Sequence, residues 1–253
     1  MRFCVLGSGS RGNATLIECG STRVLVDCGF GLRELEGRLA SIGAGGAEID
    51  AAVVTHEHGD HVAGVARLAA RYGVEVWATP GTCRAARLDD VPRLRLFSGH
   101  GRGFRIGDLT LRPVPVPHDA REPCQLVVEG GASRLGMLTD AGTVTPRMCE
   151  LLAECDTLML EANHDPQMLR QGPYPASLQR RVGGPFGHLS NAQAATLLEA
   201  VHHRGLKRVL LSHVSAKNNR PELAVAAVAG ICSSPATSVL VAAQDQCTGW
   251  LGL

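Results

Sequence analysis

The stretch Thr55-His56-Glu57-His58-Gly59-Asp60-His61 decides how the rest of the chain is read. Its three histidines and one aspartate follow the apolar run Asp50–Val54, which reads as a buried strand, and precede an alanine-rich segment that reads as a helix. Imidazole nitrogens and carboxylate oxygens are the usual protein ligands of Zn2+ and also suit Mn2+ or Fe, and a loop leaving a strand end can converge several of them on one point. His56 and His58 alternate and can share one ion; Asp60 and His61, one step further round the turn, can hold a second. Gly59 stands where the backbone bends most sharply. The competing reading, a solvated loop that is merely rich in histidine, accounts for neither the shortness of the loop nor the order of its donors.

The run has the form HxHxDH and resembles the signature of the metallo-β-lactamase superfamily. That resemblance implies an α/β fold, an αββα sandwich of two mixed β-sheets flanked by helices, with a one- or two-metal hydrolytic site at one edge. It does not choose a reaction, because lactamases, thioesterases, sulfatases, phosphodiesterases and nucleases share the signature.

Composition bounds the alternatives. With 253 residues and 45% hydrophobic content, the chain can bury the core of a single domain spanning residues 1–253. Aromatic residues are few, so Val, Leu, Ile and Ala must do the packing. A net charge of +1 argues against a strongly electrostatic nucleic-acid binder but leaves local patches open. Lys207 and Lys217 are the only lysines among 25 basic residues; the rest are arginines, whose planar fork suits phosphates. The nine cysteines form no CxxC pair, Met1–Leu6 runs straight into a strand, and no apolar run approaches membrane-spanning length. Together these point to a reducing cytoplasm with no membrane partner.

Along the chain, Arg2–Leu6, Ala14–Cys19 and Thr22–Asp27 read as strands, and Gly31–Ile42 as a helix. The turn Gly7–Asn13 reads either as a glycine-rich hairpin loop or as a nest for a phosphate oxygen, with Ser8, Ser10 and Asn13 as its side-chain contacts. One amphipathic helix is expected over His61–Tyr72, its N-terminus toward the site. His118, fixed between prolines and the end of the strand Leu109–Val116, is preorganised as a ligand. Arg134–Leu138 delivers Asp140 to its strand end, and Lys207–Leu211 delivers His213. Ser190 is a natural N-cap for a helix beginning at Asn191. His100, His202 and His203 read as surface residues.

The later motifs narrow the resemblance. Leu6-Gly-Ser-Gly-Ser-x-Gly-Asn13, His118-Asp-Ala120, Asn163-His-Asp165, Gly172-Pro-Tyr-Pro175, Gly187-His-Leu-Ser-Asn191 and Ser212-His-x-Ser215 with Asn218-Asn219 resemble the YycJ/WalJ-type branch, related to RNase Z. The likeness runs from Phe3 to about Glu222, and no inserted β-CASP domain is present. It implies that His56, His58 and His118 hold one divalent ion, that Asp60, His61 and His213 hold another, and that Asp140 bridges them. Asp27 would support the metal loop. It also implies a 5′ to 3′ DNA exonuclease acting through a metal-bridging hydroxide, with two Zn2+ or Mn2+ ions, Fe being compatible, and DNA favoured over RNA as substrate. His188 would donate to the developing charge; His164 would either protonate the leaving oxygen or hold a neighbour by a hydrogen bond. Ser190, Ser215, Lys217, Asn218, Asn219 and Arg220 would contact backbone phosphates, or form a solvated loop, and Arg170, Arg180 and Arg181 can add a phosphate-binding rim.

Two other classes stay open. A small-molecule hydrolase, a cyclic phosphodiesterase or a glyoxalase II-like thioesterase, would share the metal chemistry, although a glyoxalase would append a helical C-terminal region for which the alanine-rich tail Pro221–Leu253 is short. A non-catalytic, metal-binding regulatory protein would be expected to have lost ligands, and none is missing. The oligomeric state is left open, a homodimer included.

Overall fold

A computed structural model describes residues 1–232 and 237–253; residues 233–236 of the alanine-rich tail lie outside the described residues. Two seven-stranded mixed sheets face each other. The first holds β1 (Arg2–Gly7), β2 (Ala14–Cys19), β3 (Thr22–Val26), β4 (Ala51–Val53), β5 (Glu75–Ala78) and β6 (Leu94–Leu96). The second runs through β7 (Phe104–Ile106), β8 (Leu109–Pro115), β9 (Cys124–Gly130), β10 (Ser133–Leu138), β11 (Thr157–Glu161), β12 (Arg208–Ser212) and β13 (Ser238–Val241). The last strand, β14 (Leu251–Gly252), returns to the first sheet beside β1.

The strands are apolar nearly throughout because both faces of each sheet are covered. In β1, Phe3 and Val5 point between the sheets, where they meet Ile17, Val26, Leu126 and Met137. Cys4 and Leu6 point the other way, toward Leu35 and Leu39 of α1 (Leu32–Ser41). Further round lie α2 (Gly59–Val62), α3 (Val65–Tyr72) and α4 (Pro80–Ala86). On the outer face of the second sheet, α5 (Pro146–Leu152), α8 (Asn191–Val201) and α9 (Pro221–Ala229) pack Met148, Leu197 and Val228 over Leu138, Leu160 and Leu211. Between α5 and α8 the chain makes α6 (Pro166–Gln171) and α7 (Ala176–Val182); α7 buries no residue. The αββα sandwich expected from the resemblance is the architecture found.

The pairing directions place the site. β3 runs parallel to β4, and β10, β11 and β12 run parallel to one another. β8 and β10 are both antiparallel to β9, so β8 joins that direction. The C-terminal ends of β3 and β4 in one sheet, and of β8, β10, β11 and β12 in the other, therefore meet along one edge. Open sheets commonly present ligand-binding loops at the carboxyl ends of their strands.

Two expectations change. The helix expected over His61–Tyr72 is split into α2 and α3, because the chain turns at Gly64, whose N–H donates to Cys28 O at 2.8 Å. A Cβ there would stand 2.1 Å from Phe30 O, so only glycine lets the loop lie this close. The alanine-rich tail forms α9 and the edge strands β13 and β14, and among the described residues it adds no separate helical region. His202 and His203 are both half-buried, His203 with its Nε2 3.0 Å from Cys155 O, so neither is a free surface residue.

Gly29 shows how tightly the histidine loop is held: a Cβ there would fall 1.8 Å from Asp60 O and 2.8 Å from Asn13 N, all backbone atoms. Gly29→Ala is expected to destabilise the fold by about 2–3 kcal/mol, whereas Gly31→Ala, where nothing lies within 4 Å, should leave it within about 0.5 kcal/mol. Urea unfolding midpoints at unchanged slope measure both.

Candidate metal centre

Asp27, at the end of β3, knits the loop together. Thr55 donates to it through its N–H at 2.9 Å and its hydroxyl at 2.9 Å, and His61 Nδ1 donates at 2.7 Å. Asp27 adopts a left-handed backbone (φ 60°), as does His213 (φ 50°), so two residues of this edge carry strain that the surrounding bonds must hold. For His213 those bonds are its N–H to Ser8 Oγ at 2.8 Å and the Asn163 side-chain amide to its carbonyl at 2.9 Å.

Each imidazole is oriented by its second nitrogen, as ligating histidines commonly are. His118 Nδ1 donates to Gly187 O at 2.9 Å and His213 Nδ1 to Thr139 O at 2.8 Å, while His56 Nδ1 lies 3.0 Å from Thr55 Oγ1. This leaves Nε2 of His56, His61, His118 and His213 turned inward. His56 Nε2 lies 3.1 Å from His58 Nδ1, and His118 Nε2 lies 3.3 Å from the same atom. Four ligands about 2.05 Å from a zinc ion stand about 3.3 Å apart along the edges of their tetrahedron, so these three nitrogens are spaced to share one ion.

Beside them, His61 Nε2 is 3.6 Å from Asp60 Oδ2, and His213 Nε2 is 3.8 Å from the same oxygen. Asp140, 1% exposed, lies between the two groups. One of its oxygens is 3.1 Å from His61 Nε2 and the other 3.9 Å from His118 Nε2. Its Oδ2 is buried in a geometry that satisfies no hydrogen bond. A buried carboxylate oxygen whose nearest partner, an imidazole nitrogen at 3.1 Å, makes no well-aligned hydrogen bond to it is chemically suited to a cation. Glu161 and His188 also stand within ligand spacing of Asp140 and His213. Both Glu161 oxygens are already engaged, however: Oε1 accepts from His188 Nδ1 at 2.7 Å, and Oε2 from the N–H groups of Ala141 and Leu189 at 2.9 and 3.1 Å. His61 stands within ligand spacing of His56 and Asp140, and Asp60 approaches both His61 and His213 through one oxygen.

The charges are balanced across this edge. Burial and the positive rings around it push His56 well below its ordinary pKa. Burial takes His118 down to about 4. Burial also opposes protonation of His61 and His213, but the Asp140 carboxylate overrides it, holding His61 well above the ordinary value and His213 up at about 9. Asp140, despite its burial, is held well below the carboxylate range by His213 and His61, and burial raises Glu161.

The centre opens into a cavity of about 340 Å3 lined by His58, Asp60, Asp140, His188, His213 and Ser215, with Tyr174 and Arg181 on its wall and Ser10 at its mouth. Sequence reasoning passed over Glu161 and Asp119. Glu161 ends an apolar strand, as Asp27 and Asp140 nearly do, which was a usable signal; Asp119 follows His118 directly and bonds Arg181.

Other expected contacts do not reach this cavity. Ser8 and Asn13 are buried, Ser8 accepting from His213 N and Asn13 bonding Gly9 and Asp60. Ser190 caps α8 by accepting from Gln193 N. Asn218 is fully buried, and Asn219 bonds Asn191 and Ala162 O. Lys217 and Arg220 are exposed, with Lys217 Nζ 5.8 Å from the Tyr174 ring centroid. His164 is 3% exposed and lines a neighbouring cleft.

In protein stripped of metal by a chelator, these shifts set the pH dependence of stability. His213, at about 9 against an ordinary 6.5, contributes stability that is full below pH 6.5 and lost as pH rises toward 9; His61 acts in the same sense. His118 and His164, near 4, bind protons more readily when unfolded, so their contribution is lost as pH falls from 6.5 toward 4; His56 acts likewise. The metal-free protein is expected to melt highest near pH 6.5 and several degrees lower on either side, as thermal unfolding across pH will test.

A model of the Beta-lactamase superfamily domain matches residues 22–214. The chain is 33% identical over 229 residues to Exodeoxyribonuclease WalJ of Streptococcus pneumoniae, covering 88% of this chain and 85% of that one. It is 33% identical over 227 residues to Exodeoxyribonuclease YycJ of Bacillus anthracis, covering 88% and 86%. Among solved structures, the metallo-beta-lactamase fold protein YhfI of Bacillus subtilis superposes with a TM-score of 0.75 at 16% identity, over 97% of this chain and 98% of that one. No helix among the described residues is long and apolar enough to cross a membrane. With the strand-edge cluster in place, these likenesses make the chain a metal-dependent hydrolase that belongs to the metallo-β-lactamase superfamily and, within it, to the WalJ/YycJ branch.

Proposed function

We propose that residues 1–253 form one domain acting as a dinuclear phosphodiester hydrolase, a 5′ to 3′ DNA exonuclease. The observation that carries the dinuclear reading is Asp140, buried between two sets of inward nitrogens with one oxygen uncommitted. The nuclease reading is supported by the two exodeoxyribonuclease relatives. In this reading His56, His58 and His118 would hold one divalent ion, Asp60, His61 and His213 would hold the other, and Asp140 would serve both. When bound, such a pair activates water near neutral pH and neutralises charge on a phosphoryl group.

The chain's own groups do the rest. Glu161 accepts the Nδ1 proton of His188, which fixes the orientation of the ring. His188 lines the cavity, so its Nε2 proton can be given to an oxygen of the scissile phosphate as negative charge develops there. Arg181, tied to Asp119, places a guanidinium on the wall for a non-bridging oxygen. Ser215 and Ser10 offer hydroxyls at the mouth, and the Tyr174 ring gives a base a face to stack on. In this reading the proton comes from His188, because His164 lines the neighbouring cleft.

Protein supplied with Mn2+ is expected to release mononucleotides from 5′-phosphorylated DNA and to shorten a 3′-labelled strand progressively from its 5′ end. Asp140→Ala should abolish this and lower the metal content per chain. If bis(p-nitrophenyl) phosphate were turned over while no DNA was shortened under Mn2+ or Zn2+, the substrate would be a small phosphodiester instead. His188→Ala should lower kcat on the order of 10²–10³-fold with KM little changed, as loss of one donor to developing charge commonly does. Glu161→Gln should reproduce much of that loss, since the ring would lose the carboxylate that orients it.

A further inference from the structure

Behind one wall of the metal cavity lies a second cavity of about 510 Å3. The wall is one residue thick: Asn163, Arg181 and Val182 line the metal cavity, while their chain neighbours His164, Arg180 and Gly183 line the second. A polymer held at the metal centre would bring its next unit within reach of this space.

The second cavity has a built floor. His164 is 3% exposed, and its ring makes no hydrogen bond among the described residues; Nδ1 is fully buried without a partner, and Nε2 lies toward Gly183, 3.9 Å from where a Cβ would stand. Burial takes its pKa down to about 4, so near neutrality the ring is uncharged and offers the cleft one nitrogen, Nε2. A buried polar ring without a partner is costly unless a ligand supplies one. Leu169 and Ala176 give the cavity apolar sides. Arg170 and Arg180 stand exposed at its rim, in contrast to Arg181, which is committed to Asp119.

One neutral ring nitrogen at the floor, flat apolar sides and two guanidinium groups at the mouth match the three parts of a nucleoside monophosphate unit: base edge, base face and phosphate. We propose that this cleft is a second subsite for the DNA strand, taking the nucleotide next to the scissile one, with its base against Leu169 and Ala176 and bonded to His164, and its phosphate on Arg170 and Arg180. The inference rests on the nuclease reading above and extends it to a place that reading does not use.

The test follows cleavage of 5′-phosphorylated single strands, from a dinucleotide to an octanucleotide, by the Mn2+-loaded protein and its variants. In the unaltered protein KM should fall as the strand lengthens. The double variant Arg170→Ala/Arg180→Ala should raise KM for the octanucleotide about tenfold with kcat changed less than about twofold, and should lower the salt dependence of log KM by about two in slope, one for each phosphate contact removed. His164→Ala should remove the gain with length, and His164→Gln, which restores a polar group, should recover much of it; if either His164 variant fails to fold, the arginine variant decides. Unchanged KM and salt slope in that variant, with DNA still cleaved, would overturn the subsite and leave the nuclease reading standing. Free dAMP that binds more tightly than the strand and does not compete with it would mark a mononucleotide site and also overturn the proposal. If the unaltered protein hydrolyses bis(p-nitrophenyl) phosphate but neither binds nor cleaves any oligonucleotide, the nuclease reading itself fails.

Discussion

A carboxylate with 1% exposure must be answered by opposite charge or by donors, and Asp140 depends on imidazoles for that answer. Its oxygens reach His61, His213 and His118, which arrive from three separate strand ends. The two sheets must therefore keep those ends in register to within a few tenths of an ångström. That requirement explains why strain is tolerated at Asp27 and His213 and why buried polar side chains cluster around them. Ser8 and Asn163 hold the backbone of His213, and Asp27 clamps Thr55 and His61. In the proposed centre, divalent cations would relieve the same constraint by replacing the protons that His61 and His213 retain beside the carboxylate.

The parts legible in the sequence were those where a donor residue ends an apolar run. Asp140, His213 and the loop after Val54 follow that rule, and the strand edge brings them together; His118 follows it through its prolines. Glu161 obeys it too, but a glutamate at a strand end reads equally as the first solvated residue of a loop, and only the contact with His188 distinguishes the two. The split between α2 and α3 was not legible, because hydrophobic periodicity continues through Gly64 and only the approach of Phe30 O forbids a straight helix. Strand β9 was missed for a related reason. Cys124–Gly130 is buried on both faces and does not alternate, and its pairing with β8 and β10 is a long-range fact.

Small polar residues in turns were the least reliable signal. Ser8, Asn13, Asn218 and Asn219 have the composition of a phosphate-binding loop, and the fold turns all four inward. Where a glycine-rich turn packs against a sheet edge, its backbone N–H and C=O groups lose water and need partners, and serine and asparagine are the shortest side chains that can supply them. Asn13 does so for Gly9 and Asp60, and Asn219 for Ala162 and Asn163. The same residue types therefore serve scaffolding here more than contact with a substrate.

The edge divides into two regimes. The groups suited to hold cations sit on strand ends that are packed on both sides, which suits a site whose donor spacings must be held closely. The opposite wall is made by α7, which buries none of its residues and whose Arg181 is tied to Asp119. Asp119 stands beside His58 and His118 as well, so one exposed carboxylate links the rigid and the weakly packed sides. The proposed exonuclease, whose strand must advance, would need both properties at once: a reaction centre that does not move and a wall that can yield as the next unit arrives. Packing of the strands meets the first need, and the shallow seating of α7, with cavities on both of its sides, meets the second.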